Sequence, residues 1–200
     1  MAVNVYRRSL NCASFMIVPI IKHKQKNFMK ILKYDLPKMN MDLSETGCCP
    51  KFDPKEWWDG RTIKFEEKLF VKMKTCNFMY VPLNMGRVMG KTWKKVKAAD
   101  AGPKDYYLLL SHDPSPWKAY HYMAVEKEVE GLEHERISGE FVTKVFEGDF
   151  KNAGKWAKEM GEFVKSKNCE ITKLYFFYTT CPKCIKHWGK NYVVAFAQID

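Results

Sequence analysis

The run "FYTTCPKCIKHWGKNY" (Phe177–Tyr192) sets Cys181 and Cys184 in a C-x-x-C spacing, with His187 three residues further on. A second pair, Cys48 and Cys49 in "TGCCPKFDP", stands far upstream. Tetrahedral zinc takes Cys and His ligands, and a C-x-x-C turn supplies two of the four. Cys48, Cys49 and His187 are the available partners; adjacent cysteines reach one ion only with strain, so Cys49 with His187 completes the set as well as the Cys48–Cys49 pair does. Such a site is structural, because four protein ligands leave no position for water. A redox centre instead needs the attacking cysteine at a helix N-terminus, and "IKHWGKN" after Cys184 is short for a helix before its glycine. Inert free thiols are the third reading.

Other chemistry is easier to exclude. "LSHDPSPW" holds Ser111, His112 and Asp113 in succession, but a catalytic triad needs side chains converging from separate elements, so the stretch reads as a strand end and a Pro-rich turn. "MGRVMGKTW" lacks the spacing of a phosphate loop.

The elements that position these residues follow a rhythm. "KLFVKMKTCNFMYVP" is β-rich, Met89, Trp93 and Val96 fall at helical spacing, Asn84 is a candidate cap and "AGP" a stop. "DYYLLLS" and "AYHYMAV" then read as strands around the turn "HDPSPW". The order recurs: "SGEFVTKVFEG", a helix with Trp156, Met160, Phe163 and Val164 on one face, then "ITKLYFFYTT" and "NYVVAFAQI". Strand starts Asp105 and Ile171 lie 66 residues apart, helical anchors Met89 and Trp156 lie 67 apart. The expected fold class is α+β: duplicated β-α-β-β units forming a pseudo-twofold antiparallel sheet, two helices on one face and a central cleft. Residues 1–40 form a basic extension, 41–66 a leader with Cys48, Cys49, Trp57 and Trp58 that packs on the domain, and 67–200 the domain.

The doubled order, together with "ISGEFVTKVFEGDFKNAGKWAKEM" (Ile137–Met160) and the last strand pair, resembles the GyrI-like small-molecule-binding domains. The likeness is closest to stand-alone members with "GCCP" near the start and "TTCPKC" before the final strand; no helix-turn-helix precedes the domain here. The resemblance implies an aromatic-lined cleft for a hydrophobic small molecule, and some stand-alone relatives look like hydrolases that open strained, electrophilic rings. Relatives that bind cationic drugs place a glutamate near the final strand, whereas this chain has Lys190 and Asn191 there and its nearby acids are Glu140 and Glu147.

Strand parity selects the walls of such a cleft. Tyr120 and Tyr122 share a strand face; Leu174, Phe176 and Tyr178 share another, with Tyr175 and Phe177 on the reverse. Tyr120, Tyr122, Phe176, Tyr178 and the turn residue Trp117 are the expected walls, while the helical Trp93 and Trp156 serve as wall or core. For hydrolysis Tyr120, Tyr178 and Glu140 are the candidates to activate water. A non-catalytic binding module and a zinc-clamped interaction scaffold are the other functional classes.

Of the formal charge of +11, residues 1–40 carry +7, eight bases against Asp35. The near-balanced remainder gives no phosphate track, so the expected partner is a hydrophobic small molecule, not nucleic acid or membrane, bound by a monomer or homodimer. The apolar stretch "CASFMIVPII" is too short to span a bilayer and holds Pro19. Seven cysteines without a framework spacing point to a reducing cytoplasm.

Overall fold

The computed structural model describes residues 32–33, 36–39, 44–55 and 60–199. Twelve elements follow in order, among them the strands β1 (Leu32–Lys33), β2 (Thr62–Phe78), β3 (Val81–Pro82), β4 (Leu109–Ser115) and β5 (Lys118–Ala124). After these come β6 (Glu133–Glu147), β7 (Ile171–Tyr178) and β8 (Tyr192–Ile199). Helices α1 (Met85–Ala98) and α2 (Ala153–Lys165) occupy the β2–β4 and β6–β7 connections, a 3-10 turn (Phe150–Asn152) leads into α2, and α3 (Pro182–Trp188) joins β7 to β8.

The α+β, antiparallel expectation holds, but the sheet is not open. Its order runs β2-β5-β4-β7-β8-β6, and β6 returns to pair with β2, closing a six-stranded antiparallel barrel; β1 adds to β2 in parallel and β3 forms a hairpin with it. Closure comes from residues that the strand pattern assigned elsewhere. β2 begins at Thr62 and β6 at Glu133, and their ladder extends from Thr62↔Val142 to Lys72↔Glu133. The signal was hidden because the pairing breaks register between Phe65 and Lys68, where β2 carries one extra residue. Glu67 sits in that bulge at φ +49. Its N–H donates to Ser138 Oγ at 2.9 Å, and that hydroxyl donates back to the Glu67 carboxylate at 2.6 Å. The extra residue inverts the alternation, so Ile63 and Phe65 before it and Phe70 and Lys72 after it all share one side of the sheet.

That side is the barrel interior. Ile63, Phe65, Phe70, Leu110, Phe141, Tyr175, Phe177, Val194 and Phe196 are essentially sealed from solvent in one cluster. The outer faces are covered by the amphipathic helices. Val96 of α1 is buried, and Trp156, Met160 and Val164 of α2 pack with Val142, Phe146, Phe176, Val193, Ala195 and Ala197. Under α1 the outer face also carries a polar seam. His121 is buried between Ser111, whose Oγ lies 2.8 Å from Nδ1, and Thr75, whose Oγ1 lies 3.0 Å from Nε2. The Thr75 hydroxyl donates onward to Asn77 Oδ1 at 2.9 Å.

The interior rings carry the stability. Phe141→Ala, at a fully buried site, is expected to cost ~3–5 kcal/mol in urea unfolding, against less than about 0.5 for a change at the exposed Lys183. The polar seam sets a pH dependence. Burial lowers His121 from 6.5 to about 4, so between those values the unfolded chain holds the extra proton. Stability is therefore complete above about pH 6.5 and declines as pH falls toward 4, by ~3 kcal/mol at most from this group. Unfolding midpoints measured across that window should flatten in His121→Gln.

Candidate functional site

Inward-facing residues of β2, β5, β4, β7 and β6 meet at one end of the barrel and make an aromatic and charged site. Register pairs Tyr122 with Leu110 and Tyr120 with His112, which puts all four on the interior side. Tyr175 from β7 joins them: its ring centroid lies 5.7 Å from Tyr122, 5.6 Å from the His112 ring and 6.1 Å from Phe141. Burial, aided by the charge of Glu135, pushes the Tyr175 phenol well above the usual tyrosine range, and burial raises Tyr122 as well. Both phenols are therefore neutral near pH 7.

Two ammonium groups border the rings. Lys72 Nζ lies 5.4 Å from the Tyr120 ring centre and pairs with Glu135 at 2.9 Å and Glu133 at 3.2 Å. The Glu135 hydrogen bond leads in raising its pKa. Lys173 Nζ stands 5.0 Å over Tyr175 and 5.4 Å over Tyr122, and among the described residues no acid pairs with it.

His112 is the residue that sequence reasoning passed over. Its Nδ1 is 2.9 Å from the Leu174 carbonyl oxygen. A carbonyl only accepts, so Nδ1 carries the proton and Nε2 keeps its lone pair in the neutral ring. The side chain is half-buried beside Tyr120 and Tyr175, a base next to phenols and a cation. Its signal was present in strand parity, because His112 and Leu110 alternate with Ser111 and Asp113 along β4.

The expected walls divide between the two sides of the sheet. Tyr120 and Tyr122 face the interior site, with Tyr175 rather than Phe176 opposite them. Phe176 and Tyr178 lie outside beneath α2, where the Tyr178 ring meets Phe150 at 5.4 Å. Trp156 is core, stacked on Phe146 at 5.7 Å; Trp93 is partly exposed against Tyr107; Trp117 is 58% exposed on the β4–β5 turn. The expected catalytic trio is dispersed. Tyr178 pairs with Val193 on β8 and Glu140 with Ile199. Those partners are six residues apart, roughly 20 Å along an extended strand, and both side chains lie on the outer face while Tyr120 lies inside. Trp57 and Trp58 fall outside the described residues.

A second candidate site lies where the leader meets α3. "TTCPKC" does begin a helix: Cys181 is the N-cap, Pro182 occupies the first turn and Gly189 closes α3 in the left-handed region at φ +68. Pro just inside the start and Gly just past the end were legible signals of this short helix, so the argument from length against a helix fails. The leader supplies a turn in which Ser44 Oγ donates to the Cys49 carbonyl at 2.7 Å and accepts from the Cys48 N–H at 3.0 Å. Phe52 anchors the leader, buried against Tyr192 at 5.5 Å.

These contacts bring Cys48, Cys49, Cys181 and Cys184 together, with all four sulfurs within 4.8 Å of one another. The closest pairs are 3.7 Å for Cys48–Cys49, 3.5 Å for Cys48–Cys181 and 3.5 Å for Cys181–Cys184. Thiolates about 2.3 Å from a tetrahedral ion stand ~3.8 Å apart, so the sulfurs sit close to a ready tetrahedron. Polar groups surround them: the Cys181 N–H donates to Cys49 Sγ at 3.3 Å and the Thr46 hydroxyl is 3.1 Å from Cys184 Sγ. Burial pushes Cys48 up to about 11 and Cys49 higher still. For Cys184 burial acts in the same sense, but hydrogen bonds led by Thr46 outweigh it and bring the thiol to about 7. His187 stays outside the cluster, half-exposed, with Nε2 3.3 Å from Glu45. The adjacent cysteines thus both join the cluster, because the Ser44–Cys49 turn aims them at α3.

No curated protein matches the chain. Among solved structures, SAV2435 bound to tetraphenylphosphonium is similar at 9% identity and a TM-score of 0.45, over 71% of this chain and 94% of that one. A likeness of that degree carries no argument about function. The family described as "Bacterial hydrolase" matches residues 39–199, from the leader through β8, and the chain belongs to that family.

Proposed function

We propose that the aromatic end of the barrel binds and hydrolyses a hydrophobic, aromatic small molecule, with His112 as general base. The observation that carries this reading is the His112 side chain. Its Nε2 lone pair is left free by the Leu174 carbonyl, and its ring sits among Tyr120, Tyr122 and Tyr175. Membership of a hydrolase family supports the reaction class. Tyr120, half-buried beside His112, offers a face for a flat substrate to stack on, with the sealed rings of Tyr122 and Tyr175 forming the floor beneath. His112 takes a proton from water as the oxygen attacks the electrophilic carbon, and the neutral phenols and the Lys173 ammonium stabilise the negative charge that develops on the departing or carbonyl oxygen. Lys72 bridges Glu133 and Glu135, which leaves one net negative charge at that side of the site, with the Lys173 ammonium over the rings of Tyr175 and Tyr122.

The GyrI-like reading of the fold belongs to the same proposal. In each half the strand order is first, third, second: β2-β5-β4 and β6-β8-β7. The halves meet first strand to first strand and second to second, as two copies of one unit related by a twofold would. Tyr178 and Glu140, on the outer face, are not assigned to the reaction.

Zinc is proposed as the occupant of the cysteine cluster. Four soft sulfur donors near tetrahedral spacing match it. Its role is to fasten the leader to α3, since four protein thiolates close the coordination sphere.

Turnover of a chromogenic aromatic ester tests the catalytic reading. His112→Gln is expected to lower kcat by about 10²–10⁴-fold and Lys173→Met to lower it less. Binding of the ester without turnover by the wild-type protein would make this a binding module instead. Elemental analysis of protein purified without chelator should return one zinc per chain, lost in Cys181→Ser together with a lowered Tm and kept in His187→Ala.

A further inference from the structure

Among the described residues the largest apolar exposure lies at the tip of the β2–β3 hairpin, beyond the end of β5 that carries Tyr120. Phe78, Met79, Tyr80, Val81 and Leu83 are each 57–72% exposed, and Trp117 of the β4–β5 turn is 58% exposed beside them, its ring 5.8 Å from Phe78. Single exposed apolar residues are ordinary, whereas a contiguous cluster of six marks a contact surface.

Two further observations show that this tip is built. The hairpin pairs Phe78 with Val81, leaving Met79 and Tyr80 as a two-residue turn at φ +49 and +68. Such turns favour Asn and Gly, and large side chains there are strained. The turn is nonetheless held firmly. The Tyr80 N–H donates to the Pro116 carbonyl at 2.9 Å, and the Asn77 N–H donates to the Trp117 carbonyl at 2.8 Å. Strain retained under firm hydrogen bonding is a mark of function.

The charge around the tip identifies its counterpart. From Leu69 to Ala99 the chain has no Asp or Glu. Lys74 and Lys118 stand exposed on the strands just behind the tip, and Arg87 and Lys91 stand exposed on the first two turns of α1, which starts three residues after Pro82. The near-balance of charge beyond residue 40 concealed this, because most acids lie elsewhere in the fold; Asp113, behind the tip, is part-buried and accepts from Asn77 Nδ2 at 3.5 Å. Aromatic and aliphatic side chains ringed by lysine and arginine are the composition of surfaces that enter the headgroup region of anionic bilayers.

We infer that the β2–β3 tip, with Trp117, docks the protein peripherally on an anionic lipid surface, with Lys74, Arg87, Lys91 and Lys118 facing the headgroups. The contact is interfacial, because the exposed apolar group is a hairpin tip and one turn residue and not a spanning segment.

Flotation of the full-length chain with phosphatidylcholine vesicles, with and without phosphatidylglycerol, tests this. The expected result is binding to the anionic vesicles only, weakened by salt. It should fall by more than about tenfold in Met79→Ser/Val81→Ser and comparably in Arg87→Glu/Lys91→Glu, which leaves the hairpin untouched. Three results would overturn the inference. One is no binding to either vesicle. Another is binding unchanged in both double variants, which would assign it to the basic residues 1–40. The third is a dimer in sedimentation that the hairpin variant abolishes while vesicle binding stays absent, which would make the tip a contact between copies of this chain.

Discussion

The pairing of β2 with β6 is the constraint on which the rest of the molecule depends. These are the longest strands, and each already belongs to a three-stranded sheet. Their mutual ladder turns two sheets into one barrel, but a straight ladder would put Glu67 and Leu69 inside and Phe70 and Lys72 outside. The extra residue at Glu66–Glu67 inverts the alternation where the core needs it. Gly139 faces Phe65 across the ladder at φ +141, and a Cβ there would meet Gln198 Nε2 at 2.8 Å. Closure is thus a matter of local backbone geometry at Glu67 and Gly139 as much as of apolar burial.

From closure follows the division of chemistry. The interior is filled by rings, and its charged groups gather where Lys72 is matched by two carboxylates and Lys173 lies over two rings. The outer faces take the helices, and their one buried histidine is held neutral between two hydroxyls. His112 and His121, nine residues apart in one hairpin, end on opposite sides of the sheet. The same parity leaves His112 half-buried beside the interior rings and makes His121 part of the core.

Much of this was legible. The strand-helix-strand-strand order, the helix faces and the pairing of Tyr120 with Tyr122 follow from periodicity alone. Choosing between Tyr175 and Phe176 did not, because an aromatic run of "YFF" is apolar on both sides and only the partner strands decide which side is inside. Closure was illegible because the Glu66–Glu67 bulge erases the alternation that would have lengthened β2. The cysteine grouping was half-read: the two pairs were recognised as partners, while His187 was drawn in by proximity in sequence and excluded by the direction in which α3 turns. The apolar tip was invisible as a surface, since in sequence it reads as a strand like any other.

The thiol cluster also bears on the order in which the chain comes apart. Cys48 and Cys181 are 133 residues apart, so a shared ion would join the leader to the last helix and enclose five of the six barrel strands in one loop, with β8 outside it. In the unfolded chain, a cross-link over a loop of that length removes entropy worth on the order of 4–5 kcal/mol. It would also couple the leader turn to α3, so that neither could leave the barrel without giving up the ion. The polypeptide would then fold as a closed loop carrying two open tails.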